Sequence, residues 1–299
     1  MRIKRWLWAL AIVAAILFGT KVYLFDTAAS PGPAYVIDTE AMHRIATASG
    51  TLPDHIEVER VGDFAFPQKL IVAGDTFFHM HKMVLLSHRV AWPDRSVIID
   101  TAMSPEDAKQ MPGSKIDEAA YKRMQAAMSK ANIILLTHEH SDHIGGIAKS
   151  PDFSAVAKHT KITREQFNGP MLTRSDFAPG ALEQLQPFEY QGMVAVAPGV
   201  VLQKAPGHTT GTQLVYVELA NGQRYLFVGD IAWSAENITN ERGRPRLAEL
   251  LMKEDRAAVA AQLQALHKLP KDIHVIVAHD PVALEQDINA GLVKPGFTL

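Results

Sequence analysis

The sequence predicts an α/β protein, an αββα sandwich of two facing sheets with helices on the outside, preceded by an apolar N-terminal helix. Three observations carry this expectation. Short runs rich in β-branched residues, at Ile133-Ile134-Leu135-Leu136, Val200-Val201-Leu202, Tyr225-Leu226-Phe227-Val228 and Val275-Ile276-Val277, read as buried strands. Helical spacing of apolar residues, over 116–130 and 254–267, falls between strands in both halves of the chain, an order that suits sheets covered by helices. Side chains able to bind a metal follow each of the four runs, and groups placed just beyond strand ends converge on one rim of a sheet.

At the N-terminus, Arg2, Lys4 and Arg5 precede an uncharged apolar stretch over 6–20, which Lys21 separates from Val22-Tyr23-Leu24-Phe25. Fifteen helical residues reach only ~22 Å, but the stretch through Phe25 spans a ~30 Å hydrocarbon core once Lys21 snorkels to the interface. Residues 1–26 are therefore expected to be a signal anchor or a signal peptide, with the basic end in the cytoplasm and the rest exported to the periplasm. Thr27-Ala28-Ala29 offers small residues for cleavage, which would release the chain from the inner membrane. Residues 27–67 read as a linker and N-terminal extension, with helical pattern over 39–48 and alternation over 55–61. The domain proper is expected at 68–299.

Within it, 70–73 and 77–84 are expected as strands joined at Gly74-Asp75-Thr76, and 83–90 and 96–100 as strands around Pro93-Asp94. The helix over 116–130 feeds a strand at 133–137, after which Gly145-Gly146 allows a tight turn. Pro170, Pro179 and Pro187 break up 151–188. Strands follow at 193–197, 200–204, 213–219 and 224–228, with Ala220-Asn221-Gly222 as a hairpin turn, then the helix over 254–267 and a last strand at 274–278.

A content of 47% hydrophobic and 21% charged residues in 299 describes a globular chain with material for a sizeable core. The formal net charge of -2 supplies no basic field for a polyanion, which argues against a nucleic-acid partner. With no cysteine the chain forms no disulfide, carries no lipid-modified cysteine and offers no thiolate to a metal.

The chemistry is concentrated in seven residues. His138 and His140 are two apart, so in extended backbone they point the same way and can share one metal. Asp142 and His143 can face a second ion; His208 can complete the first site, His279 the second, and Asp230 can bridge both. Two divalent ions held this way would ionise a shared water near neutral pH. Nitrogen and oxygen donors without sulfur suit zinc and admit iron, manganese or cobalt. The expected chemistry is a hydrolysis in which the metals supply hydroxide, polarise a carbonyl and receive the leaving alkoxide, with Asp142 and Asp230 as catalytic carboxylates.

Thr137-His138-Glu139-His140-Ser141-Asp142-His143, Pro206-Gly207-His208-Thr209, Gly229-Asp230 and Ala278-His279-Asp280 together resemble the metallo-β-lactamase superfamily over residues 68–292. The resemblance implies the αββα fold and the same metal assignment. Class B β-lactamases lack an aspartate where Asp230 stands, so this residue fits glyoxalase II, the ribonuclease Z type and the lactonases. Val84-Leu85-Leu86-Ser87-His88 leading to Val97-Ile98-Ile99-Asp100-Thr101, with Ala278-His279-Asp280, is most similar to the acyl-homoserine lactonase branch. In that branch a tyrosine three residues after the bridging aspartate helps polarise the substrate carbonyl. Here Trp233 takes that place, and an indole N–H donates a hydrogen bond without being a phenol acid.

The expected function is a membrane-anchored hydrolase opening a lactone or ester of a small molecule. The alternatives are a glyoxalase II-like thioesterase, a β-lactamase-like amide hydrolase and a non-catalytic metal-binding membrane protein. Among the remaining residues, His79 and His81 are expected to be a surface or structural pair, and His43, His55, His88, His159, His267 and His274 ordinary histidines. Glu139 and Ser141 are expected to fill solvated loop slots. Asp100 either orients a ligand histidine or caps a turn. Phe77, Phe78, Met80 and Trp233 are candidates for an apolar substrate pocket.

Overall fold

The computed structural model describes residues 2–75, 79–111 and 113–298, with side chains from residue 6 onward. Twelve strands are described: β1 (His55–Pro67), β2 (Met80–Ala91), β3 (Ser96–Ile99), β4 (Lys115–Ile116), β5 (Ile133–Leu135), β6 (Thr160–Lys161), β7 (Met193–Ala197), β8 (Val200–Lys204), β9 (Gln213–Glu218), β10 (Arg224–Phe227), β11 (Ile273–Ile276) and β12 (Lys294–Pro295). One sheet runs β12-β1-β2-β3-β5-β6 with β4 beside β1, and the other runs β11-β10-β9-β8-β7.

Three apolar layers explain why the strands read as unbroken apolar runs: both faces of each sheet are covered. Between the sheets, Ile56, Val58, Val84 and Leu86 meet Val200, Leu202, Val215, Tyr225 and Phe227. The next residues along the same strands point outward. Leu85, Ile98 and Ile134 pack under the helix Glu118–Lys130, and Val201, Leu214, Tyr216 and Leu226 under the helix Arg256–His267. Those two helices start two residues later than the spacing predicts, because Asp117 and Asp255 turn back to cap them.

The structure moves the start of the sandwich upstream. β1 lies inside the first sheet, between β12 and β2, and pairs antiparallel with β2 along nearly its whole length, with an irregularity between Arg60 and Gly62. The helix Thr39–Ala46, capped by Asp38, packs on β7, β8 and β9. Residues 39–67 therefore belong to the sandwich, and the expected boundary at residue 68 falls within its first sheet. The expected strand at 70–73 is instead a helical turn, Gln68–Ile71, followed by Val72 and Ala73. Its apolar residues are buried by packing and not by pairing, two situations a short apolar run does not distinguish. The second arm of that hairpin begins at Met80, and Thr76, Phe77 and Phe78 lie outside the described residues.

We label the helices used below α1 (Arg2–Lys21), α2 (Thr39–Ala46), α3 (Glu118–Lys130), α4 (Ser141–Ala148), α5 (Arg246–Met252), α6 (Arg256–His267) and α7 (Pro281–Asn289). α1 continues through one π turn, Val22–Asp26, and the span Trp6–Asp26, 21 residues of mean hydropathy 2.0, is long and apolar enough to cross a bilayer. The region 151–188 folds into a short helix, Phe153–His159, several single turns and the edge strand β6, with Pro170, Pro179 and Pro187 outside the helices.

Candidate metal centre

The metal-capable residues sit where β5, β8, β10 and β11 end, on one rim of the sandwich. Beyond β5 the chain stays extended through His138 and His140, then enters α4, whose first turn carries Asp142 and His143. The expectation of a tight turn at Gly145-Gly146 is corrected: both glycines lie inside α4. They are needed because the helix presses on residues 101–104; a Cβ on Gly146 would stand 2.4 Å from the Thr101 carbonyl oxygen. His208 lies in the loop between β8 and β9. Asp230 sits in a 3-10 turn after β10, entered through Gly229 at φ +49°, where a Cβ would meet Thr137 Oγ1 at 2.6 Å. His279 follows β11, its N–H bonded to the Trp233 carbonyl and its carbonyl accepting from Val84 N.

All seven converge. His138, His140, His208 and Asp230 bring donor atoms within 4.8 Å of one another, and so do Asp142, His143, Asp230 and His279. Asp230 belongs to both groups, with one oxygen in each. Its Oδ2 lies 3.5 Å from His138 Nε2 and 3.3 Å from His208 Nε2, while its Oδ1 lies 3.1 Å from both His143 Nε2 and His279 Nε2. Asp142 Oδ2 is 3.5 Å from His279 Nε2, and Asp142 is the most solvent-accessible of the seven.

Whether these residues fit metal ions is answered by their unmet polar atoms. Nε2 of His138, His143 and His279 and Oδ1 of Asp230 are buried with no hydrogen-bond partner. Buried polar atoms without partners are costly, and convergent lone pairs are what a cation satisfies. Burial, with His143 alongside, holds His138 well below the usual imidazole range; burial and His208 do the same for His140, so both offer neutral nitrogens. Burial opposes the charge on Asp230, but His138 and His279 outweigh it and hold the carboxyl well below the usual carboxylate range.

In His143, His208 and His279 the other ring nitrogen is tied back, which aims Nε2 at the centre, whereas His140 turns its Nδ1 toward His208 Nε2 at 3.0 Å. Asp100 accepts from His143 Nδ1 at 2.9 Å, from Thr137 N at 2.7 Å and from Thr137 Oγ1 at 2.8 Å, so it is placed to orient His143, a candidate ligand. Glu254 Oε2 accepts from His208 Nδ1 at 2.9 Å and from Arg244 Nε at 2.6 Å; the Val84 carbonyl accepts from His279 Nδ1 at 2.9 Å. Sequence reasoning missed Glu254 and Arg244. The only signal was a charged stretch, 242–256, between Asp230 and the next strand.

Glu139 is a second correction. It is not solvated but fully buried, its Oε2 accepts from Thr209 Oγ1 at 2.8 Å, and burial pushes its carboxyl up to about 7. Trp233 is 7% exposed and packs edge-on against Phe66 and His279, with the Arg244 guanidinium 4.9 Å from its ring centre; its Nε1 is buried and unpartnered. Phe77 and Phe78 lie outside the described residues, and Met80 is 54% exposed. His79 and His81 join neither metal group.

Known proteins bear on this geometry at three levels. The family model described as "Metallo-beta-lactamase superfamily" matches residues 90–279. Among curated proteins, a hydroxyacylglutathione hydrolase of Vibrio campbellii is 29% identical over 160 residues, 54% of this chain and 52% of its own. An N-acyl homoserine lactonase of a Bacillus species is 27% identical over 133 residues, 40% of this chain and 51% of its own. The chain thus spans about half the length of each of these two relatives. Among solved structures, an N-acyl homoserine lactone hydrolase with the product N-hexanoyl-L-homoserine at its catalytic metal centre superposes with a TM-score of 0.62 at 16% identity, covering 79% of this chain and 97% of that one. AidC, a dizinc quorum-quenching lactonase, gives 0.55 at 17% identity, covering 77% and 89%.

Proposed function

Because the chain belongs to the metallo-β-lactamase superfamily, we propose that it is a hydrolase that opens the lactone or a related ester of a small molecule at a centre of two divalent ions. The observation that carries this reading is Asp230, whose two oxygens each face a different group of imidazoles. The donor set suits zinc and admits iron, manganese or cobalt. His138, His140, His208 and Asp230 would hold one ion, and Asp142, His143, Asp230 and His279 the other. When bound, such ions supply a Lewis acid for the carbonyl oxygen and an acidified water as nucleophile.

The chain's own residues do the rest. Asp142, the ligand most open to solvent, orients the water and accepts its proton. Trp233 Nε1–H, buried and unpartnered, donates to the substrate carbonyl in the position where the lactonases carry tyrosine. Asp100 and Glu254 keep His143 and His208 in one tautomer, and Asp100, Thr137 and Phe227 with Leu86 wall the second group against bulk water. We also read Trp6–Asp26 as an inner-membrane anchor that places the sandwich in the periplasm; cleavage near 27–29 would leave it there unattached. A glyoxalase II-like thioesterase is the second reading, favoured by the likeness to hydroxyacylglutathione hydrolase over about half of that relative.

The test is turnover by the metal-replete full chain of acyl-homoserine lactones, aryl esters, a glutathione thioester and a cephalosporin, alongside Asp142→Asn. Lactone or ester turnover that Asp142→Asn removes while metal is retained is the expected result. Turnover of the thioester alone turns the assignment to the second reading, and no turnover of any substrate leaves a metal-binding protein without catalysis.

A further inference from the structure

The end of α1 is clamped to the body of the protein at one place. Lys69 Nζ reaches Asp26 Oδ1 at 2.5 Å, Gly74 N donates to the Phe25 carbonyl at 3.0 Å, and Arg256 donates to the Thr27 carbonyl at 2.6 Å. The Arg246 guanidinium stands 4.6 Å from the centre of the Tyr23 ring, and α5 packs on the π turn Val22–Asp26. α5 is two-faced. Ala248 is buried, and Met252 packs against the apolar cluster that contains Trp233, whereas Leu250 and Leu251 are 65% and 63% exposed.

A span from Trp6 to Asp26 fills a ~30 Å hydrocarbon layer and leaves its last turn at the headgroup level, the depth that suits a tyrosine paired with an arginine. Whatever touches Val22–Asp26 shares that depth. Two bare leucines beside a lipid boundary have an apolar phase within reach. The charges of α5 are largely matched, with Glu249 lying 3.7 Å from Arg246 and 3.8 Å from Arg256.

We propose that α5 is a second membrane contact, with Leu250 and Leu251 entering the outer lipid leaflet beside the anchor. The proposal rests on the anchor reading of α1. The partner is the bilayer itself, recognised through apolar side chains and not through anionic headgroups. Docking fixes the orientation of the domain: the wall of the metal centre built from Trp233 and Arg244 lies on the membrane side, where acyl-bearing substrates concentrate.

The absence of cysteine makes the test direct. Leu250→Cys, Phe18→Cys and Lys130→Cys are made singly in the full chain, labelled with bimane and reconstituted in phosphatidylcholine vesicles with and without doxyl-labelled lipid. Lys130, exposed at the far end of β5 from the centre, is the aqueous control. Loss of Leu250 and Phe18 emission to doxyl lipid, with Lys130 unaffected, is expected. Quenching at Phe18 with Leu250 behaving like Lys130 overturns the docking and leaves the anchor standing. A blue shift at Leu250 without doxyl quenching means that protein covers it, and overturns the docking likewise. No quenching at Phe18, or its loss from the mature chain, overturns both.

Discussion

Replacing Asp100 by asparagine isolates what one carboxylate contributes to the second metal group. The backbone at Asp100 has φ 58°, a left-handed conformation that asparagine tolerates as well as aspartate, so the substitution adds no strain that alanine would. Asparagine keeps an acceptor for Thr137 N and can donate to Thr137 Oγ1; only His143 Nδ1–H loses its acceptor. Loss of such a partner costs about 10- to 100-fold in metal affinity, which is ~1.4 to ~2.7 kcal/mol. Because His143 belongs only to the group with Asp142 and His279, the loss should fall on one of two binding steps. Zinc titration of the metal-free protein against a chromophoric chelator reads both steps, and thermal melting in chelator reads the fold alone. Two unchanged steps would refute the orienting role, as would a melting loss in chelator large enough to account for the weaker binding.

Glu254→Gln leaves Arg244 charged in a site where both side chains are fully buried, and should destabilise the protein by about 3–5 kcal/mol. Arg244→Met with Glu254→Leu should restore most of the melting temperature while the zinc affinity of the first group stays roughly tenfold or more below wild type; full recovery of affinity would show that His208 needs no acceptor. Burial, and then the charge of Asp280, pushes Asp287 up to about 6, so what this group contributes to stability is fully present below its ordinary 3.8 and is lost as pH rises through 6. Asp287→Asn should therefore gain roughly 1–2 kcal/mol at pH 8, discounted for its partial exposure, and nothing at pH 3.5; equal gains in urea melts at both would contradict the assignment. Gly146→Ala places a methyl against the Thr101 carbonyl and should cost ~1–3 kcal/mol and loosen zinc at the second group, whereas Gly19→Ala, with open space around it, should do neither. Trp233→Phe keeps the ring packing and removes Nε1–H, so kcat should fall on the order of 10²-fold with KM unchanged; an unaltered kcat would reduce the indole to packing.

The candidate metal residues were legible because each group follows a strand covered on both faces, and such a strand writes its presence as an unbroken apolar run. The partners that aim them were not. Asp100 was visible as a strand-end acid, but Glu254 and Arg244 occupy a stretch without period, and their burial follows from tertiary contacts: Arg244 lies over the Trp233 ring and its carbonyl accepts from Arg256 of α6. Glu139 reads as one polar residue among six; that it lies beneath Thr209 depends on the loop between β8 and β9, seventy residues away along the chain. The same limit applies at residues 70–73, where an apolar run is buried by packing and not by strand pairing, and at β1, whose sequence alternates too weakly after Arg60 to announce a long strand. Gly145 and Gly146 were legible as necessary, but the necessity is close helix packing and not a turn.

Each metal group draws on both sheets. His138, His140, Asp142 and His143 extend from β5 in the first, whereas His208, Asp230 and His279 extend from β8, β10 and β11 in the second. At this rim the interface between the sheets is closed by polar and not by apolar side chains, and it gathers five imidazoles and two carboxylates in a largely buried space. Without cations, those groups face one another with lone pairs unmet, and the Val84–His279 and Asp100–Thr137 hydrogen bonds must hold them in place. Bound cations would turn the repulsion into coordination and tie the two sheets where their apolar layer ends. The arrangement proposed for hydrolysis would, for the same physical reason, close the fold. Asp230, with one oxygen in each group, is where the two roles meet: a neutral amide there would remove the charge shared by both groups and loosen the tie between the sheets.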